Sequence, residues 1–520
     1  MQLRSLIEAL PGKKSSAYVF ERGQITQHRY ADLHSDILQV RDRLSGWGVT
    51  PGMRVGIYSP NSYWWLVHDL ALVLIGAVSV PFTEDFAGRI NRELLDRYDV
   101  ALLLAASRHA RTLAPLAPHV GFMDADNGAV AVIPRGPSTD SDLDDQHTLV
   151  FSSGSAGGLK GLVISRKGIE TTLPPIFDAV EKQDGDRWMI FLPLSNLQQR
   201  NFCYGGLWYD YDVIITDYTQ LFAAMKALHP TVLVAPPVLF QMIHSEFQNS
   251  PGAQDGARLG MAGLLALLPF EKLHRALARR LFPEFYAQFG ARIRLLITGM
   301  APIRPEVGKR FSQLGLPLAE SYGMVEAGSI TYRAPASRAY DSVGKVLDGI
   351  RLSFQEDGEI LVHRDHALTL RYFQCAEGEN ERTFLGPGIV ATGDVGRFDE
   401  HGNLLLLGRK KEQIITPGGV KIHPEIIERE LNDCPEVVRC IAFLKPGTAQ
   451  LTCVVDLVQP EKDGARAQVK KFAAGMKSIR GAFQHVETVF ADEPFSTENG
   501  MLRPNMKVDR KQITAKYGRV

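Results

Sequence analysis

The sequence predicts an α/β protein: a large N-terminal domain of layered, mostly parallel sheets with helices, carrying a small barrel-like subdomain, and then a small α+β C-terminal domain. Three observations predict it. Short apolar runs alternate with helix-like segments as far as Ile350, the pattern of parallel α/β layers. Beyond Ile350 short strands turn at Asp357-Gly358 and His401-Gly402, the mark of antiparallel pairing. A charged stretch, Gly408-Arg409-Lys410-Lys411-Glu412, then separates two apolar strands.

Taken in order, the strands are expected at 55–58, 101–104, 148–151, 188–192, 232–234 and 293–297, each short, apolar and bounded by polar turns. The most lipid-like stretch, 64–82, contains His68 and Asp69, and its uninterrupted apolar run from Leu70 is short. A bilayer needs about 20 apolar residues, so the stretch is read as a buried helix over 64–75 running into a strand near 77–80. A helix-rich segment is expected over 264–289. Apolar strands at 404–407 and 413–415 flank the charged stretch, which sets the division at 1–408, a hinge at 409–412, and 413–520.

Composition bounds the function. Lys+Arg and Asp+Glu are equal at 58 each among 520 residues; a general binder of nucleic acid or anionic membrane depends on excess basic charge. The five cysteines (Cys203, Cys375, Cys434, Cys440, Cys453) have no CxxC spacing, which fits free thiols in a reducing compartment. Residues 1–14 lack the long apolar core of a secretion signal. A cytoplasmic location without a membrane span is expected.

Four motifs carry chemistry. Ser152-Ser153-Gly154-Ser155-Ala156-Gly157-Gly158-Leu159-Lys160-Gly161 directly follows an apolar strand. Small residues there let backbone N–H groups close on phosphate oxygens, and hydroxyls and a lysine add donors. Glu320-Ser321-Tyr322-Gly323-Met324-Val325-Glu326 follows Thr298-Gly299-Met300-Ala301-Pro302-Ile303, a strand end of the kind where ligands collect in open α/β sheets. Tyr322 can stack on a purine, and Glu326 offers a hard oxygen to Mg²⁺. Thr392-Gly393-Asp394 places a carboxylate at a tight turn, suited to two ribose hydroxyls. Asn499-Gly500-Met501-Leu502-Arg503-Pro504-Asn505-Met506-Lys507-Val508-Asp509-Arg510 puts a lysine near the C-terminus. Each motif alone also has a plainer reading: a flexible turn, a packed turn, an Asx turn, an exposed tail lysine.

Their order and spacing resemble the adenylate-forming superfamily of acyl-CoA synthetases, peptide-synthetase adenylation domains and firefly luciferase. The family loop [ST]SG[ST]TGxPKG is matched by Ser152 to Gly161 except at Ala156 and Leu159, and YGxTE by Tyr322 to Glu326 except at Val325. TGD is matched at Thr392 to Asp394, GRxKD/E at Gly408 to Glu412, and PxEIE nearly so at Pro424 to Glu428. The likeness is greatest to the long-chain fatty acyl-CoA synthetase and acyl-AMP ligase branch. Leu192-Pro193-Leu194-Ser195-Asn196-Leu197-Gln198-Gln199-Arg200 looks like LPLxHxxER, with Asn196 for the usual histidine, and residues 230–237 look like PTVxxxVPR. Residues 499–510 look like NGLLTPTxKxKR.

The resemblance implies ATP- and Mg²⁺-dependent conversion of a carboxylic acid, fatty or aryl, to an acyl-adenylate. The acyl group then passes to the thiol of CoA or of a carrier-protein phosphopantetheine. It places the β- and γ-phosphates on Ser152, Ser153, Gly154, Ser155, Gly157 and Lys160. Adenine lies among Gly299, Met300, Ala301, Tyr322, Gly323 and Met324, and ribose on Asp394 and Arg409. Glu326 holds the metal and Lys507 bridges the acid and the α-phosphate. Arg200 joins Lys507 and Glu326 as a candidate catalytic residue. The mobile C-terminal domain turns about Lys411, bringing Gly418 and Gly419 beside the pantetheine, and a homodimer is an admissible assembly. Ala156 and Val325 each lack a hydroxyl of the family motif, a hydrogen bond worth about 0.5–1.5 kcal/mol. Phe202, Tyr204, Trp208, Tyr209 and Tyr211 either shorten the acyl tunnel or pack a helix on the core. Two other readings remain: adenylation with an internal nucleophile, as in β-lactone synthetases, and a nucleotide-binding homologue without turnover.

Overall fold

The computed structural model describes residues 2–518 except 84–85, 126–129, 135–144, 154–158, 249, 251–254, 267–270, 302, 416–420, 446–447, 449, 481–482, 484–485 and 504–507. Two large sheets form the body. One has seven strands, in the order Thr369–Phe373, Leu159–Ser165, Gln146–Ser153, Val78–Pro81, Arg54–Tyr58, Val100–Ala105, Val120–Phe122. Its last five strands run parallel, and its first two pairings are antiparallel. The other has nine strands, parallel from Leu318–Met324 through Leu295–Gly299, Val232–Ala235, Arg187–Ile190 and Asp212–Ile215 to Ser16–Glu21. Antiparallel strands close both of its ends.

Strand pleating explains the layering, because successive side chains point to opposite faces. In Val232–Ala235, Val232 and Val234 belong to one buried cluster and Leu233 and Ala235 to another. In Val100–Ala105, Leu102 and Leu104 share that first cluster while Leu103 and Ala105 face a third. The shared cluster is therefore the filling between the two sheets. The helices Leu3–Glu8, Tyr30–Gly46, Tyr63–Ile75, Arg166–Ala179 and Leu197–Tyr209 supply many of its other side chains. Strands with apolar residues on both faces are what parallel sheets covered on both sides require.

The lipid-like stretch is the interior helix Tyr63–Ile75, and it runs into the strand Val78–Pro81 as expected. Its two polar side chains are buried with partners: Asp69 pairs with Arg200, and His68 meets Arg43 at 3.0 Å. Among the described residues no helix is long and apolar enough to cross a membrane. Beyond Ile350 the chain forms a five-stranded antiparallel sheet of Arg351–Phe354, Glu359–His363, Ile389–Phe398, Phe384–Gly386 and Leu404–Arg409. The C-terminal part has a three-stranded sheet, Val437–Leu444, Leu451–Leu457 and Val486–Phe490, with helices Pro424–Asn432 and Ala465–Ala474. Its principal cluster draws on residues from Ile414 onward.

Close packing between Arg166–Ala179 and Leu197–Tyr209 depends on Gly205. A Cβ there would lie 2.0 Å from the Phe177 ring. Gly205→Ala is expected to cost about 1–3 kcal/mol through overpacking, read as a lower urea midpoint with unchanged slope.

Candidate active site

A cleft of about 1380 Å³ opens at the C-terminal ends of the nine-stranded sheet and is shared by the antiparallel sheet and the C-terminal part. Met300, Ala301, Ser321, Tyr322, Gly323, Met324 and Glu326 line it, together with Asp394, Arg409, Glu425, Arg429, Arg503 and Asp509. Sheet geometry explains the first group. The strands Leu295–Gly299 and Leu318–Met324 are parallel neighbours and end side by side. Met300 follows with φ 70°, a left-handed conformation that is uncommon for a non-glycine residue and clusters at functional sites. A Cβ on Gly323 would lie 2.4 Å from the Gly328 carbonyl oxygen. Only glycine fits there, which explains the second position of the Tyr-Gly motif.

Asp394 is the centre of the site. It lies directly opposite Arg409 in the antiparallel pairing of Ile389–Phe398 with Leu404–Arg409. Arg409 Nε donates to Asp394 Oδ1 at 2.7 Å, and the Tyr322 hydroxyl donates to Oδ2 at 2.6 Å. Burial and the adjacent Asp394 carboxylate hold the Tyr322 phenol well above its ordinary pKa, so it remains a donor. The turn before Asp394 is braced as well. Glu359 accepts the Gly393 N–H at 3.0 Å and the Lys410 ammonium at 2.6 Å. Two motifs on consecutive strands are thus cross-strand partners.

The phosphate-loop motif begins and ends on two paired strands, since Gln146–Ser153 pairs antiparallel with Leu159–Ser165 and Ser152 faces Lys160. Gly154, Ser155 and Gly157 lie outside the described residues, and only the backbone of Ser152 and Ser153 is described. Lys160 Nζ pairs with Glu379 Oε1 at 2.7 Å and sits 4.8 Å from the Tyr372 ring centroid. The Tyr372 hydroxyl donates to Glu326 Oε1 at 2.8 Å. Sequence reasoning missed both Tyr372 and Glu379. Their stretch reads locally as a strand end and a polar turn, and only the sheet pairing of Thr369–Phe373 with Leu159–Ser165 brings them to Lys160.

Lys507, Gly418 and Gly419 lie outside the described residues. The flanks of Lys507 are informative. Leu502 bridges to Val508, Arg503 Nε meets Asp509 Oδ2 at 3.1 Å, and Arg503 and Asp509 both line the cleft. Lys411 is an exposed residue of the short turn Lys410–Glu412. Its neighbours are the anchored ones: Lys410 meets Asp357 and Glu359, and Glu412 meets Arg510 at 3.0 Å.

Arg200 corrects the sequence expectation. Its side chain is wholly buried, 3.1 Å from Asp69 Oδ1, and it donates to Ser79 and Thr148. It does not line the cleft, although Gln198, Asn201 and Phe202 do. The helix Leu197–Tyr209 presents one face to the cleft, and Arg200 is on the other. Asn196 caps this helix by accepting from the Gln198 N–H at 3.0 Å. Of the aromatic residues expected either to shorten a tunnel or to pack, only Phe202 reaches the cleft. Tyr204 donates to Asp69, and Tyr211 stacks on Trp188 at 5.2 Å.

A model of the family described as AMP-binding enzyme matches residues 9–367. This chain belongs to the AMP-binding enzyme family. Among relatives of this AMP-binding enzyme is "Long-chain-fatty-acid--CoA ligase FadD15" of Mycobacterium tuberculosis (strain ATCC 25618 / H37Rv), 27% identical over 90% of this chain and 87% of its own length. "Long-chain-fatty-acid--CoA ligase 5" of Rattus norvegicus is 23% identical over 88% and 78%. ATP-bound MatB from Rhodopseudomonas palustris shares the fold, with a TM-score of 0.75 and 20% identity over 99% of this chain and 98% of that one. So does o-succinylbenzoate CoA synthetase from Bacillus subtilis with its acyl-adenylate, at 0.72 and 18% over 98% and 97%.

Two outcomes test this site. Arg200→Ala is expected to destabilise the fold by about 3–5 kcal/mol, the cost of leaving a buried carboxylate unpaired, read by urea unfolding. The second concerns Glu425, whose Oε1 accepts the Arg409 N–H at 3.2 Å. Burial, then the neighbouring Glu428, push its carboxyl up to about 7; Arg510, Glu412 and His423 also face this group. A carboxyl raised on folding contributes stability that is complete below its unfolded pKa and is lost as pH rises through the folded value. Stability should therefore fall between about pH 4.5 and 7. Glu425→Gln should remove that part of the dependence in urea midpoints measured from pH 5 to 8.

Proposed function

We propose that this AMP-binding enzyme activates an apolar monocarboxylic acid with ATP to an acyl-adenylate and pyrophosphate, then transfers the acyl group to the thiol of CoA. One observation carries the reading. The Tyr322–Asp394–Arg409 cluster, Glu326, and both flanks of Lys507 line a single cleft. Adenine and ribose fit against Tyr322 and the Asp394–Arg409 pair. Glu326 supplies a carboxylate beside the triphosphate, the donor set that suits Mg²⁺, which takes one or two carboxylates plus phosphate oxygens. The bound metal neutralises phosphate charge.

In the first step a carboxylate oxygen of the acid attacks the α-phosphorus. A new O–P bond forms, the bond to the β-phosphate bridging oxygen breaks, and pyrophosphate leaves with the electron pair. Two anions must meet in line, so positive charge at the α-phosphate and the carboxylate is the main requirement. Lys507 answers that requirement. In the second step a thiolate, its proton lost to solvent, attacks the carbonyl carbon of the mixed anhydride. The C–S bond forms, the C–O bond breaks, and AMP leaves. The turn at 409–412 is the hinge about which residues 413–520 reorient between the steps, with the region of Gly418 and Gly419 passing the pantetheine.

The acid is apolar because Leu173, Ile176, Leu197, Phe202 and Leu368 line the cleft beside Thr172. CoA is favoured because Arg89, Arg97 and Arg108 line the cleft too, and guanidinium groups match phosphate geometry. The names of the fatty-acid–CoA ligase relatives agree with both choices.

Pyrophosphate release and hydroxamate trapping across octanoate, palmitate and benzoate, with and without CoA, test the proposal. An acid-dependent burst and a CoA thioester detected by mass spectrometry are expected. Lys507→Ala should lower adenylation by about 10²-fold or more while Mg·ATP still binds. Tight ATP binding with no turnover on any acid would overturn the reading.

A further inference from the structure

The loop lysine is tied back from the cleft. Among the described residues lining the cleft, Glu326 is present, but Lys160 and Glu379 are not. The Lys160 ammonium is instead 2.7 Å from Glu379, with both side chains about four-fifths buried (20% and 17% exposed). It lies on the face of Tyr372, whose hydroxyl is bonded to Glu326. One aromatic ring therefore separates the ammonium from the cleft carboxylate. Glu379 is itself held in place. It opens the short helix Glu379–Thr383, whose Asn380 accepts the Tyr372 N–H at 2.7 Å through Oδ1.

We propose that Glu379 is a positioning residue that acts through Lys160: a stand-in for the terminal phosphates, which Mg·ATP must displace and which reclaims the lysine when pyrophosphate departs. The proposal rests on the phosphate-binding role given to Lys160 above. Its physical basis is exchange of one anion for another at a partly buried ammonium. An unpaired ammonium there is unfavourable, so the nucleotide-free site keeps its own carboxylate. A competitor of this kind reduces apparent affinity by the fraction of protein in the competent state. The cost falls only on ligands that need Lys160, those with β- and γ-phosphates. The same carboxylate speeds release of pyrophosphate, the product that would otherwise hold the lysine. No bond other than the ion pair is exchanged.

Calorimetric titration of the full-length protein with Mg·ATP, Mg·pyrophosphate and AMP tests this without any acid substrate. Glu379→Gln should tighten Mg·ATP and Mg·pyrophosphate by about threefold to tenfold, the range of a partly screened ion pair, and leave AMP unchanged. Glu379→Asp, which keeps the charge, should stay closer to the parent protein. In a Lys160→Met background Glu379→Gln should have no further effect, as a double-mutant cycle requires. Unchanged or weaker Mg·ATP binding in Glu379→Gln would overturn the proposal, weaker binding marking Glu379 as a ligand of the metal. Equal tightening of AMP would overturn it as well, since the effect would then not lie at the terminal phosphates. Because these readouts need no turnover, their failure is distinct from failure of the acid-activation reading.

Discussion

The Asp394 carboxylate is the constraint on which the rest of the site depends. It is buried between the Tyr322 hydroxyl and the Arg409 guanidinium. A buried carboxylate without such partners is expensive, so these three side chains must arrive together. Tyr322 belongs to the nine-stranded sheet, and Asp394 and Arg409 to neighbouring strands of the antiparallel sheet. The contact therefore locks two sheets to each other and fixes where the chain leaves toward the C-terminal part. The Glu359 carboxylate, holding the Gly393 N–H and the Lys410 ammonium, keeps the Asp394 turn from adjusting.

Several cations in or beside this cleft are paired with carboxylates. Arg409 has Asp394, Lys160 has Glu379, Arg503 has Asp509, and Lys410 has Asp357 and Glu359. The core uses the same chemistry for another purpose. Arg200 and Asp69 are wholly buried, and Ser79, Thr148 and Tyr204 add hydrogen bonds to the pair. A pair closed off from the cleft on every side supports packing, whereas pairs at the cleft wall remain open to competition.

Motif reading found cleft-lining residues where a short backbone segment presents the side chain directly. Tyr322, Glu326 and Arg409 lie at or near strand ends, Asp394 follows the left-handed Gly393, and all four line the cleft. It failed at Arg200, where the motif spans one helix and spacing alone does not say which face of that helix meets the ligand. It failed also at Tyr372 and Glu379. Their role depends on a pairing between strands some two hundred residues apart, and nothing local marks it. The aromatic residues near 202–211 show the same limit. Their composition suited a tunnel wall or a core, and only tertiary contacts, Tyr209 and Tyr211 on Phe177 and Tyr204 on Asp69, assigned these three to packing.

The sequence by itself determined the layered α/β class, the antiparallel texture after Ile350, and four side chains, Tyr322, Glu326, Asp394 and Arg409, that line the cleft. These rest on local periodicity and on side-chain types that short backbone segments present directly. Only the tertiary structure decided that Asp394 faces Arg409, that Arg200 is sealed in the core, and that Lys160 is paired to Glu379. The reason is physical: strand register and the buried face of a helix follow from long-range packing, which no local pattern encodes.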